Sequence, residues 1–203
     1  MQSLNCPKCG AGLQIENQFI RTISCAYCGS AFIVRGSDGL DLTGKSANLA
    51  DSLSILSVGA HGTIRKRGFK ALGRVRYAYD EGFWEEWQIA WDDGQPPDWL
   101  EEDEGLWTVY HREKIKHAIP PYELVGVGAT VAVNNYKVFV TEKRLARVVG
   151  SAGQFSSVLP LTGSFGYFQG AANDQSVSIN YWPAEIELSV GDELENGDLV
   201  VGR

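Results

Sequence analysis

Four cysteines constrain this chain more than any other residues. They fall in CPKCG at 6–10 and CAYCG at 25–29, and the 203-residue sequence holds no others. Fifteen residues separate Cys9 from Cys25. Two C-x-x-C pairs at such a separation can offer four thiolates to one tetrahedral ion. Gly10 and Gly29 follow the pairs, where a tight turn suits a residue without Cβ. Neither pair opens a helix inside a βαβ pattern, which argues against a thioredoxin-like redox motif. Leu13, Ile15, Phe19, Ile20 and Ile23 suit a short hairpin between the pairs, and Phe32 to Val34 suits a third strand. We therefore expect a zinc ribbon over residues 1–35, with Cys6, Cys9, Cys25 and Cys28 as the metal ligands. Four thiolates saturate Zn²⁺ and leave no position for a reacting water, so the expected role of the metal is structural. Metal binding then supplies much of the folding free energy of so small a piece.

The compartment bears on the same cysteines. Residues 1–5 carry no basic stretch, and Cys6 falls where the apolar core of a signal peptide would begin. No apolar run approaches the length of a membrane span. These features predict a cytoplasmic chain, where thiols stay reduced and paired disulfides do not persist. The formal net charge is −7, and residues 1–36 hold only three cations, Lys8, Arg21 and Arg35. Both facts argue against nucleic-acid binding.

After the ribbon the composition changes. GSDGLDLTGKSANLADSLSI at 36–55 is rich in Gly, Ser, Asp and Asn, and reads as a linker with a short helix near 46–54. Such a linker would let the ribbon move relative to the body of the chain. From residue 56 the period is two. FKALGRVRYAY (69–79) alternates apolar and basic residues, DEG at 80–82 turns, and FWEEWQIAW (83–91) returns. That last segment also places Trp84, Trp87 and Trp91 at helical spacing, but the flanking turns and the aromatic content favour a strand. TVAVNNYKVFVTE (130–142) reads as a hairpin around Asn134-Asn135. LWTVYH (106–111) and SVSINYW (176–182) are further strands. Residues 54–75 weakly resemble 121–144, and LSVGDEL (188–194) echoes their opening. The body at 56–203 is thus expected to be all-β, in small barrel-like or sandwich units. A duplication would divide it at about 56–118 and 119–203.

GTIRKRGFKALGRVRYAY, WEEWQIAW and DWLEEDEGLW together resemble the bacterial family known as the domain of unknown function 4178. The positions that carry the resemblance are Gly62, Thr63, Phe69, Gly73, Arg74, Val75, Trp84, Glu86, Trp87, Trp99, Leu100, Glu102 and Gly105, with GSFGYFQG at 163–170 beyond them. It covers roughly residues 57–203, and a zinc ribbon is a common companion of that domain. The resemblance brings no established activity. It implies an accessory or adaptor role beside membrane-stress proteins of the phage-shock type, small membrane proteins and enzymes like polyamine aminopropyltransferases.

Charge is segregated along the body. Asp80 to Glu104 holds eleven acidic residues, no Lys or Arg, and four of the six tryptophans, while 65–76 holds six cations. Adjacent strands that pair base against acid, with tryptophans filling the core, account for this pattern. A sharper reading groups Glu86, Trp87, Trp99 and Glu102 as a surface for an ammonium group or a basic partner, since carboxylates beside indole faces attract cations. No phosphate loop, nucleophile elbow or H-E-x-x-H helix is present, and His61, His111 and His117 form no spaced ligand set. The leading expectation is a non-enzymatic adaptor that docks a protein partner, basic or membrane-associated, on an acidic tryptophan-rich face. Two alternatives stay open: a polyamine or small-cation sensor or carrier, and an unrecognised hydrolase.

Overall fold

The computed structural model describes residues 2–36, 39–45, 49, 53–160 and 163–202. The N-terminal cysteine-bearing region, called the ribbon for brevity, contributes β1 (Gln2–Asn5), β2 (Gly12–Ile15), β3 (Thr22–Ser24), β4 (Ser30–Arg35) and β5 (Gly39–Lys45). Next come β6 (His61–Ile64), β7 (Arg67–Tyr79), β8 (Gly82–Trp91), β9 (Asp98–Asp103) and β10 (Leu106–Glu113). A single 3₁₀ turn at Tyr122–Leu124 precedes β11 (Thr130–Val133), β12 (Tyr136–Phe155), β13 (Ser164–Ala172), β14 (Gln175–Tyr181), β15 (Ile186–Glu193) and β16 (Leu199–Val201). The all-β expectation holds, and FWEEWQIAW lies in strand β8. No helix among the described residues is long and apolar enough to cross a membrane.

Eight of these strands close into an antiparallel barrel. Two four-strand meanders, β7-β8-β9-β10 and β12-β13-β14-β15, meet where β10 pairs with β15 and where β7 pairs with β12. Each meander is entered by a short arm, β6 before β7 and β11 before β12. The arms are built alike. Gly59 N donates to Ala71 O (2.7 Å) and Ala71 N to Ala60 O (2.8 Å), while Gly128 N donates to Val140 O (2.8 Å) and Val140 N to Ala129 O (2.9 Å). The weak sequence repeat thus coincides with a structural one. The third echo does not: Gly191 lies inside β15 against Tyr110 and makes no turn.

Each arm is followed by a β-bulge, between Ala71 and Gly73 on β7 and between Val140 and Glu142 on β12. A bulge inserts one unpaired residue, so the face to which side chains point is exchanged beyond it. Before the bulges Phe69, Ala71, Val138 and Val140 point outward. There they join Ile89, Leu100 and Trp87 under β6 and β16, or Phe168, Val177, Ile179 and Leu188 under β11. After the bulges Val75, Tyr77 and Ala146 point into the barrel with Trp84, Trp99, Tyr110, Phe165 and Tyr167. The apolar mass of the body therefore lies largely outside the barrel wall, and the lumen mixes aromatic rings with polar groups.

The segment 36–55 is not a linker throughout. Gly39–Lys45 pairs with β4 from Ser30 to Arg35, its Leu40 and Leu42 alternating along the strand. The helix expected near 46–54 falls mostly on residues outside the described set. Nor does the ribbon stand apart. β3 pairs with the end of β12 (Phe155 opposite Thr22), Arg21 N donates to Phe155 O at 2.8 Å, and Thr22 Oγ1 donates to Ser157 O at 2.8 Å. Gln154 bridges to Glu16 N and Gln14 O, Lys70 pairs with Glu16 at 2.9 Å, and Leu72 packs into the ribbon core.

Closure needs glycine where β7 and β12 cross. Gly153 has φ +91°, and a Cβ there would collide with Leu72 O and lie 2.7 Å from Gly73 Cα. Gly153→Ala is therefore expected to cost about 2–4 kcal/mol, lowering Tm by more than about 5 °C in thermal unfolding. Gly126→Ala has open space around it and should be nearly neutral by the same measurement.

Candidate metal centre and acidic lumen

The two cysteine knuckles share one backbone design. Gly10 N donates to Cys6 O and Gly29 N to Cys25 O, both at 2.8 Å, with φ of +78° and +69° at the glycines. The four sulfurs lie within 4.8 Å of one another, with Cys6 to Cys28 and Cys9 to Cys25 both at 3.7 Å. A disulfide requires about 2.05 Å, so these are not bridges. Metal–sulfur bonds of about 2.3 Å in a tetrahedron place sulfurs about 3.8 Å apart, so the donor set fits a tetrahedral ion. Cys6, Cys9, Cys25 and Cys28 could hold a metal ion.

The acidic stretch divides between the two faces of the barrel wall. Along β8 and β9 the alternation sends Trp84, Glu86, Gln88, Trp99, Glu101 and Asp103 inward. Glu85, Trp87, Ile89, Leu100 and Glu102 point outward. The four residues grouped from sequence are thus separated, with Glu86 and Trp99 in the lumen and Trp87 and Glu102 on the outer wall. Trp87 is 1% exposed and Trp99 3% exposed, so neither presents an indole face to solvent. Trp87 Nε1 instead donates to Glu102 Oε2 at 3.3 Å.

The outer acids match the basic strand. Glu85 is buried and takes Arg74 and, at 2.6 Å, Arg76. Arg67 pairs with Asp93 at 2.8 Å and lies over the Trp91 ring. Base-against-acid pairing with tryptophans in the core, one of the two readings of this segment, describes these contacts.

The lumen is different. Glu86 and Glu101 are cross-strand partners on β8 and β9, like charges directly opposite one another. Trp84 Nε1 donates to Glu86 Oε1 at 3.2 Å, and Gln169 Nε2 approaches Glu101 Oε1 at 3.4 Å. Burial pushes Glu86 up to about 7, partly offset by the Trp84 bond and by Arg112. Burial, then the neighbouring Glu86 and Asp103, push Glu101 up to about 8. Asp103 is also raised, by burial and Glu104, and its Oδ1 is a buried acceptor with no hydrogen-bond partner among the described residues. Glu142 accepts from Tyr167 OH at 2.5 Å. Between these groups lies an internal void of about 20 Å³, room for about one water-sized sphere.

Beyond the void the barrel opens into a mouth of about 520 Å³. Glu101, Asp103, Glu104, Asp174 and Glu193 line it with Tyr110, Gln169 and Ser176, and no Lys or Arg is among the lining residues. Tyr110 OH donates to Ser176 Oγ and accepts from Gln169 Nε2, both at 2.8 Å. The sequence grouping missed Glu101 and Asp103. The period-two alternation through 84–88 and 99–103 would have set Glu86, Glu101 and Asp103 on one face, where choosing residues by proximity to tryptophan mixed the faces.

No curated protein and no solved structure matches the chain. A family model described as a domain of unknown function (DUF4178) matches residues 57–196, which takes in the whole barrel from β7 to β15. The chain belongs to the DUF4178 family.

Proposed function

We propose that the barrel is a binding module for a small organic polycation, of the polyamine class, and that the ribbon is a structural zinc site. The acidic mouth carries this reading, because five carboxylates and no cation line a cavity large enough for a flexible amine. Several carboxylates of one sign together attract a ligand with several spaced ammonium groups. Asp103 Oδ1 supplies an unused acceptor, and Gln169, Tyr110 and Ser176 can orient the chain. An adaptor role through an acidic, tryptophan-rich face draws no support from Trp87 and Trp99, which are buried.

Zinc is the ion that four thiolates at these separations suit best. Under reducing conditions, one zinc per chain is expected by native mass spectrometry. Chelation should raise hydrogen exchange across β1 to β5 while Ile89, Leu100 and Ile179 in the barrel stay protected. Unchanged exchange in the ribbon after the metal is stripped would remove the structural role.

Calorimetric titration with spermidine at low salt and pH 8.5 should give saturable binding that Glu101→Gln weakens at least about tenfold, the loss of one charge-assisted contact. No heat, or equal heat in the variant, would sink the polycation reading.

The raised carboxyls add a pH dependence. In the unfolded chain both groups titrate near 4.5, so between pH 4.5 and about 8 the folded state holds more protons. The stability contributed by the pair is therefore complete below pH 4.5 and is lost as pH rises through about 7 and about 8. The ligand-free protein should lose Tm between pH 5 and 9, and a Glu86→Gln/Glu101→Gln double variant should lose much less. Over the same interval spermidine affinity should rise, with protons released on binding as judged from heats in buffers of different ionisation enthalpy.

A further inference from the structure

The opposite end of the barrel has another chemistry. There a cavity of about 980 Å³ is lined by Val158, Leu159, Trp182, Ile186 and Leu188, with Arg112 at the end of β10. Its volume is that of a small-molecule site. Trp182 stacks on Phe165 with ring centres 3.8 Å apart, so one aromatic wall continues into the lumen core. At the rim Val158 is 54% exposed and Ile186 42% exposed, an apolar surface left to water.

Charge at this end is arranged around an arginine. Arg112 Nη1 pairs with Glu187 Oε1 at 2.7 Å, and its guanidinium lies over the Trp99 ring at 5.0 Å. Trp182 Nε1 donates to Glu187 Oε2 at 2.8 Å. Both oxygens of Glu187 are thereby engaged, and its charge is matched. Glu113 is turned to Tyr136 OH at 2.8 Å and to Asn134 and His111, which hold its carboxyl below the usual range. Arg112 itself has five N–H donors in a planar fork, a shape that fits a carboxylate side-on. Lys114 also lines the cavity, as does the exposed Glu185 at its rim.

We infer that this end is a second binding site, for an amphipathic acid whose apolar body lies against Val158, Leu159, Trp182, Ile186 and Leu188 and whose carboxylate meets Arg112. The barrel then has two mouths of opposite preference, one for cations and one for anions with an apolar tail. This inference does not rest on the polycation reading, which concerns the other mouth.

The test titrates the full chain with decanoate and with decyltrimethylammonium, which share a chain and differ in head charge, each below its micelle concentration. Decanoate should bind saturably and at least about tenfold more tightly than the cation, the preference expected of one charge-assisted contact. Arg112→Gln should abolish the preference. Val158→Asp changes an exposed rim residue without threatening the fold, and should weaken decanoate by about tenfold while leaving spermidine binding unchanged. Absence of saturable decanoate binding, equal or inverted head preference, or full decanoate affinity in Val158→Asp would each overturn the inference. Loss of spermidine binding in Glu101→Gln with decanoate binding intact would separate the two mouths, and failure of spermidine to bind the parent chain would leave the decanoate result standing.

Discussion

Two inserted residues, Leu72 on β7 and Thr141 on β12, govern how this barrel is filled. Each bulge exchanges the faces of its strand, so that the apolar side chains of the arm cover the outside while the rest of the strand turns inward. Without the exchange the hydrophobic set of each arm would run into the lumen and there would be no room for a polar interior. The bulges also free their own side chains for other tasks. Leu72 enters the ribbon core, and Thr141 Oγ1 donates to Gln169 O at the acidic mouth. Ribbon docking and the lining of the mouth thus share one kind of local irregularity, and a third, between Val148 and Gly150, lies where β12 closes the barrel against β7.

Because the outer wall shares the hydrophobic burial with the aromatic cluster of the lumen, the rest of the lumen can be polar. It can keep a pair of facing carboxyls, Glu86 and Glu101, at a cost to stability that grows as they ionise. Such a cost is ordinary at sites that must be ready for a ligand of opposite charge. The outer acids behave in the contrary way. Glu85, with two arginines on one carboxylate, joins β8 to β7 and belongs to the wall rather than to any site.

Much of this was legible in the sequence, and the misses have physical reasons. The cysteine spacing located a four-sulfur cluster that could hold a metal ion, because ligand geometry is local. The Asn134-Asn135 turn was legible because positive φ restricts the residue, and Asn134 has φ +50°. The structural repeat of the arms was faint in sequence because only the turn glycines and the apolar parity are shared, while the hydrogen bonds that repeat are those of the backbone. Strand β5 was missed because Gly39, Asp41, Gly44 and Lys45 are poor strand formers, and its place comes from pairing with β4 rather than from propensity. The mixing of Trp87 with Trp99 came from counting residue types where only parity distinguishes lumen from wall.

Strand β12 runs for twenty residues and pairs in turn with β11, β13, β7 and β3. Its residues up to Gly153 pair with the barrel strand β7, and its last two, Gln154 and Phe155, with the ribbon strand β3. The ribbon is therefore not a bead on a string that recombination could exchange at the boundary near residue 36. A foreign ribbon grafted there would need to bring the partners of Gln154, Phe155 and Ser157 with it. Lineages that keep this ribbon are expected to retain or lose both pieces together, and a shuffled chimera must place its second junction inside the barrel.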